Sequence, residues 1–277
     1  MTFSPQYFGS ILKLLTVLFV VIGGMSAPHS ANAEFDHSNW NDLLQQHVRS
    51  VDGGKVTQVD YAGMSEDAAV LSAYLAATSS ISRLTFDLWP MDEQLAFLIN
   101  VYNAATISLI LNAYPELKSI RDTGSLLRSP WSRSFVSLFG STVSLDNIEH
   151  DMIRGWNIYH EPRIHFAVNC AAIGCPPLRA EAYSGATLRD QLDDNTRLFL
   201  SDRARNYADG KRIYISKIFD WYAADFSRGW QGIDSVSKFL QLYTSALNLD
   251  AAQHELLAQE RLSIRHLDYD WGLNRAD

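Results

Sequence analysis

The sequence predicts an α+β fold: a helix-rich single domain around a small, mostly antiparallel sheet, with a buried central helix near 92–114. Three observations predict it. Helical patterns dominate the chain, while strand patterns are few and scattered. Asp209-Gly210 is a hairpin signal, and no regular strand–helix alternation accompanies it. The run from Gln94 to Leu111 is apolar almost all round, as expected of a helix enclosed by the rest of the fold.

The elements follow in order. Trp40 to Val51 reads as a first helix with Ser38 or Asn39 as cap, broken by Gly53-Gly54. Lys55 to Tyr61 alternates weakly, as a strand does, and a second helix runs from Ser65 to about Ala77. Asp92 or Pro90 opens the long helix, which Pro115 closes after Tyr114. Asn147 to Arg154 is a short helix and Ile164 to Val168 a buried strand. Thr187-x-x-Asp190 has the capping-box pattern and starts a helix to about Ser201. The hairpin joins Arg205-Asn206-Tyr207 to Arg212–Ile215. Helices over Lys217–Phe226 and Ser235–Leu247 and a last strand over Leu262–Leu267 complete the chain.

Residues 1–33 read as a cleaved secretory signal peptide. Lys13 is their only charged side chain, an apolar run of roughly 11 residues follows it, and Ala31-Asn32-Ala33 is a small-x-small cleavage pattern. That run falls short of the ~20 residues of a membrane-spanning helix. The expected mature protein is one globular domain over 34–277, exported to the periplasm or outside the cell, with no stable membrane span. Its composition, 47% hydrophobic and 12% aromatic, is that of a globular chain. A net charge of −8 excludes non-specific nucleic-acid binding and docking on anionic lipid. With two cysteines, stability must come from the core and not from a disulfide framework.

Both cysteines lie in Arg163-Ile-His-Phe-Ala-Val-Asn-Cys-Ala-Ala-Ile-Gly-Cys-Pro-Pro-Leu178. A regular element ending in a constrained turn is a place where proteins fix reactive side chains. Asn100 and Asn103, three apart, share one face of the apolar helix. Buried amides need partners, so they bind the backbone of a packed loop or orient a catalytic group. Leu145-Asp-Asn-Ile-Glu-His150 offers His150 as a base at a cleft edge. Arg163 and Arg179 flank the cysteine turn and could receive an anionic group or pair with acids. Trp131, Trp221, Trp230 and Trp271 are candidates for a binding surface or for core packing. Asp268-Tyr-Asp-Trp271 could supply a carboxylate or simply end the last strand.

These segments together resemble the family called domain of unknown function 547. The motifs are Phe97-Leu-Ile-Asn-Val-Tyr-Asn-Ala104, Tyr114-Pro115, Ser129-Pro-Trp131, Leu145 to His150, Arg163 to Leu178, Glu181-Ala-Tyr183, Ser216-Lys-Ile-Phe-Asp-Trp-Tyr222 and Tyr269-Asp-Trp271. The resemblance spans about Leu43 to Asn274. It implies a bacterial, signal-peptide-bearing protein and no established activity. It also implies that a Cys170–Cys175 bond is not a requirement of the family, since plant relatives carry serine at the second position.

Four states of the cysteines stay open: a disulfide closing a short loop, a nucleophilic Cys170, metal binding with His165 and His150, or two packed thiols. The mechanistic expectation is a cysteine-dependent acyl hydrolase or transferase of papain- or transglutaminase-like chemistry. Its expected catalytic residues are Cys170, His150, Asn103, Asn100 and His165, with Asn169, Arg163, Arg179 and Tyr102 as substrate-binding residues. Backbone N–H groups of the Cys170–Gly174 turn would form the oxyanion hole. Neither a metal nor another cofactor is expected. The rival is a non-enzymatic binding or scaffold domain in which Cys170–Cys175 is a disulfide staple. The expected ligand is a small molecule, a peptide or an envelope component.

Overall fold

The computed structural model describes residues 34–124 and 129–276. The expected signal peptide lies outside the described residues.

Helix α1 (Ser38–His47) hands over to strand β1 (Val48–Val51), which pairs antiparallel with β2 (Val56–Val59). The helix expected over Trp40–Val51 therefore gives way to strand at Val48. Asp52, Gly53 and Gly54 all take positive φ, so Gly53-Gly54 makes a hairpin turn instead of a simple break. The cap position belongs to His37, with no side-chain capping bond, because its ring is buried and bonded to the Tyr74 hydroxyl at 2.7 Å. The second expected helix divides at Asp67 into α2 (Tyr61–Glu66) and α3 (Ala68–Ser79). The Asp60 carboxylate caps α2 by accepting from the Gly63 N–H.

A short α4 (Arg83–Asp87), capped by Ser82, leads to the long α5 (Met91–Leu111), which starts after Pro90 with Asp92 and Glu93 in its first turn. By length and composition α5 could cross a membrane, yet 89% of its apolar window is buried inside the fold. It is the core helix that the sequence predicts. A hairpin of β3 (Val136–Leu138) and β4 (Ser141–Val143) follows, turning at Phe139-Gly140 with φ positive at both residues.

Asn147–Arg154 is helical, as its sequence predicts, but it is a π-helix. Pro162–Phe166, by contrast, is a 3-10 helix and not the expected strand. An unbroken apolar run suits a buried strand or a buried helix equally. Here Pro162 opens the helix and the Glu161 side chain accepts from the Arg163 N–H. Helix α6 (Leu188–Ser201) begins after Thr187, but without the expected capping box, because the Thr187 hydroxyl bonds Ser184 Oγ instead.

Strand β5 (Tyr207–Asp209) forms the expected hairpin with β6 (Arg212–Ile215). The helix expected over Lys217–Phe226 shortens to α7 (Ile218–Trp221) and a 3-10 turn, Asp225–Ser227. Helices α8 (Val236–Gln241), α9 (Thr244–Leu247) and α10 (Ala251–Ala258) precede β7 (Ser263–His266), which lies parallel to β6. The strands thus form three small sheets, mostly antiparallel, in a helix-rich α+β fold.

Two apolar clusters hold the structure. The first surrounds α5. The second gathers Phe199, Ile213, Phe219, Phe226 and Phe239. The 162–168 segment joins them, with Ile164 and Val168 in the first cluster and Phe166 in the second. The carboxy-terminal segment crosses back to bond both β2 and the cysteine loop: Val59 N–H donates to Asn274 O at 2.8 Å, and Asn274 N–H donates to Ala171 O at 3.0 Å.

Candidate active site

The cysteine loop is held on all sides. From α5, the Asn103 amide donates to Ala167 O at 3.0 Å and accepts from the Asn169 N–H at 2.8 Å. The Asn169 side chain spans the loop, donating to Pro176 O and accepting from the Ala171 N–H. From α6, the Asn195 amide donates to Phe166 O and to Pro177 O. The buried Arg205 guanidinium donates to Cys175 O and Lys55 O, and Asp202 balances its charge. Ile173 and Gly174 donate their N–H groups to Gly272 O and Asp270 O. Ala171 sits at φ +61, a left-handed conformation that costs a side-chain-bearing residue about 1–2 kcal/mol and is sustained by this bracing.

Cys170 and Cys175 form a disulfide. Cys175 is buried and Cys170 is half-buried. The Tyr269 hydroxyl lies 3.2 Å from Cys170 Sγ and 3.1 Å from Cys175 Sγ. Gly174 permits that approach, since a Cβ there would meet the Tyr269 ring at 3.0 Å. Burial pushes the Tyr269 phenol up, which keeps it a hydrogen-bond donor.

Both sulfurs line a cavity of about 290 Å³. His165 and His150 border it, Tyr102 and Tyr222 form part of its wall, and Asp146 and Glu149 supply carboxylates. Trp131, Trp221, Tyr269 and Trp271 complete an aromatic side. Glu149 and His150 are neighbours in sequence, yet both reach the cavity. A π-helix has more residues per turn than an α-helix, so consecutive side chains diverge by a smaller angle.

The two histidines differ in what they offer. His165 is fully buried, stacks on Tyr222 with ring centroids 3.7 Å apart, and has Nε2 2.8 Å from Asp225 Oδ2. Burial opposes ionisation of Asp225, but bonds from His165 and Arg154 overcome it and hold its carboxyl well below the usual range. Against a carboxylate, Nε2 must carry the proton. Burial also lowers the His165 pKa, despite the pull of Asp225, so the ring is neutral. Its Nδ1 then presents a bare lone pair, and no hydrogen bond engages it.

His150, with 40% of its side chain exposed, faces Arg154 Nη1 with Nδ1 at 2.9 Å. A guanidinium only donates, so that lone pair is occupied. The expectation of His150 as base therefore meets an imidazole with no free acceptor.

Other expected site residues lie elsewhere. Asn100 exchanges two bonds with the Tyr183 backbone, at 2.7 and 3.0 Å, and neither it nor Asn103 lines the cavity. Arg163 is clamped by Glu161 and stacks on Trp230; Arg179 is paired with Glu181 and Asp194. Neither arginine lines the cavity, and Asn169 supports the loop from behind. Most donors of the expected oxyanion hole are engaged as well. Cys170 N–H donates to Cys175 Sγ, and the N–H groups of Ala171, Ile173 and Gly174 have acceptors. Among the described residues no cluster of three or more His, Cys, Asp or Glu is arranged to hold a metal ion.

Two participants escaped sequence reasoning. Asp225 is a lone carboxylate in the apolar stretch Ala223-Ala224-Asp225-Phe226, and a buried acid demands partners. Tyr269 was visible within Tyr269-Asp-Trp271, where the carboxylates drew attention; the rings, not Asp268 or Asp270, line the cavity.

The site thus defines an α+β domain with a braced disulfide loop on an aromatic, acidic cavity. Residues 86–200 match the family model described as "Protein of unknown function, DUF547", which supports the resemblance seen in the motifs. The match takes in α5, the π-helix, the cysteine loop and most of α6, and it ends before Asp225 and Tyr269. No curated protein and no solved structure matches the chain.

Proposed function

We propose that this cavity is the active site of a thiol-dependent acyl hydrolase or transferase, latent while Cys170 and Cys175 are joined. The carrying observation is a neutral His165, oriented by Asp225 and with Nδ1 unengaged, among the residues that line the same cavity as Cys170. Cys–His–carboxylate chemistry uses these three residue types, with the imidazole held by the carboxylate as Asp225 holds His165.

A dithiol reductant first opens the disulfide, giving its two electrons to the sulfurs and becoming a disulfide itself. His165 Nδ1 then takes the Cys170 proton. The thiolate forms a C–S bond to an acyl carbon, and the leaving group departs with the proton from His165. Water, activated by the same imidazole, forms the new C–O bond; the C–S bond breaks and the proton returns to sulfur. The Tyr269 hydroxyl, beside both sulfurs, is the donor available to the thiolate or to the developing oxyanion.

A second function is favoured by one observation: the same loop is braced from α5, α6, Arg205 and the carboxy-terminal segment. A staple in a binding domain would need such bracing too.

The experiment that separates them treats the full chain, reduced and unreduced, with an activated acyl ester and maps adducts by intact and peptide mass. The active-site assignment expects an acyl adduct on Cys170 only after reduction, absent in Cys170→Ala. A reduced, folded protein that forms no adduct on Cys170 overturns it in favour of the staple.

A further inference from the structure

The cavity carries a charge pattern that the acyl chemistry does not use. Glu149 is 6% exposed, and burying a carboxylate demands compensation. The other buried acids obtain it: Asp202 pairs with Arg205, Asp225 with Arg154, and Glu93 accepts backbone N–H groups from Phe35 and Gly185. Glu149 instead has neutral partners, the Tyr222 hydroxyl at 2.7 Å and the Tyr102 hydroxyl. Among the described residues no lysine or arginine lies within ion-pair distance of Glu149 or of Asp146; the half-exposed His150 is the one basic ring near them, with Nδ1 3.9 Å from Glu149 Oε1 and Nε2 3.9 Å from Asp146 Oδ1.

Facing these carboxylates is a continuous aromatic wall. Ring centroids lie 4.6 Å apart for Tyr269 and Trp271, 4.9 Å for Trp221 and Tyr269, and 5.6 Å for Trp131 and Trp271. Trp221 is 45% exposed, an uncommon state for so large an apolar side chain. Aromatic faces and carboxylates that lack a lysine or arginine partner, around one cavity, are complementary to an organic cation.

We propose that the cavity binds an alkylammonium group, seated between the aromatic wall and the Glu149–Asp146 pair. As a substrate assignment it rests on the acyl-transfer function above: the acyl compound, or the acceptor of its acyl group, carries a protonated or quaternary amine. The binding itself needs only the cavity. A neutral sugar would use the rings but leave Glu149 uncompensated.

The test is a tryptophan-fluorescence titration of the unreduced full chain with two pairs of probes. Choline is compared with its uncharged isostere 3,3-dimethylbutan-1-ol, and pentylammonium with pentan-1-ol. At least one cation is expected to bind about tenfold or more tightly than its neutral counterpart; which pair shows the larger ratio distinguishes a quaternary from a primary amine. Glu149→Gln should abolish the ratio, and Trp221→Ala, at an exposed position, should weaken the cation several-fold without unfolding the chain. Equal affinity for charged and neutral probes in the wild-type protein, or no saturable binding of either cation, overturns the proposal without any variant. Cys170→Ala separates the two assignments. Cation preference with no acyl adduct on wild-type Cys170 leaves the cation site standing alone, whereas an adduct without cation preference removes only the cation site.

Discussion

His165 donates its Nε2–H to Asp225 Oδ2 at 2.8 Å, joining the cysteine segment to a turn 60 residues further along the chain. Asp225 also receives Arg154 at Oδ1 and Oδ2, so one carboxylate fixes the His165 tautomer and neutralises a guanidinium. His165→Gln should keep the fold and lower the alkylation rate of reduced Cys170 near neutral pH by about a hundredfold. An unchanged rate would remove His165 as the base.

Asp225→Asn acts on His165, on Arg154 and on Arg228, whose Nη1 lies 3.4 Å from Asp225 Oδ1. It leaves the Arg154 charge without its counter-ion, and breaking such a pair costs on the order of 3 kcal/mol. Denaturant unfolding should show that loss, with slower Cys170 alkylation in the folded fraction. Arg154→Met in the same background should recover part of the stability and none of the reactivity.

The disulfide predicts a thiol count. Intact mass after iodoacetamide should show no label on the unreduced protein and two labels after reduction. The bond spans a sequence separation of 5, and short loops restrict the unfolded chain least. Cys175→Ser should therefore cost only about 2 kcal/mol, leaving a folded protein in which Cys170 is free to be acylated.

Asn103 couples α5 to the loop through two backbone groups. Asn103→Ala strands the Asn169 N–H and Ala167 C=O in the interior, at about 1–3 kcal/mol for each group left unsatisfied. Asn103→Asp should do no better, because a carboxylate cannot donate to Ala167 O. A merely catalytic asparagine would lower reactivity and leave the unfolding midpoint unchanged.

Acid stability turns on His37. Burial lowers its pKa from 6.5 to about 4. Between those values the unfolded chain binds more protons than the folded one, so stability rises with pH through the window. On acidification it is lost from about pH 6.5 downward, by about 3 kcal/mol at pH 4, and buried His165 shifts in the same direction. Unfolding free energies between pH 7 and pH 4.5 should fall accordingly, and His37→Gln should flatten the slope whatever its effect at pH 7.

The sequence by itself determined the elements whose signals are local. The apolar run over Met91–Leu111 must be a helix kept from water, Asp209-Gly210 turns tightly, and the cysteine loop stands out by its residue types. Where two structures bury the same pattern, the sequence was silent. Ile164 to Val168 is apolar as strand or helix, and only the need to face two clusters at once made it a 3-10 helix. Partner choice was likewise a tertiary decision. Both Asn103 and Asn100 had to be satisfied, but only the packing gave Asn103 the cysteine loop and Asn100 the Tyr183 backbone. His150, the base the sequence offered, and His165 were told apart only by neighbours: Arg154 occupies a nitrogen of the first, and Asp225 accepts from Nε2–H of the second and so fixes its tautomer. A side chain's chemistry belongs to its type, whereas its protonation and free lone pairs belong to neighbours that the fold brings from distant positions.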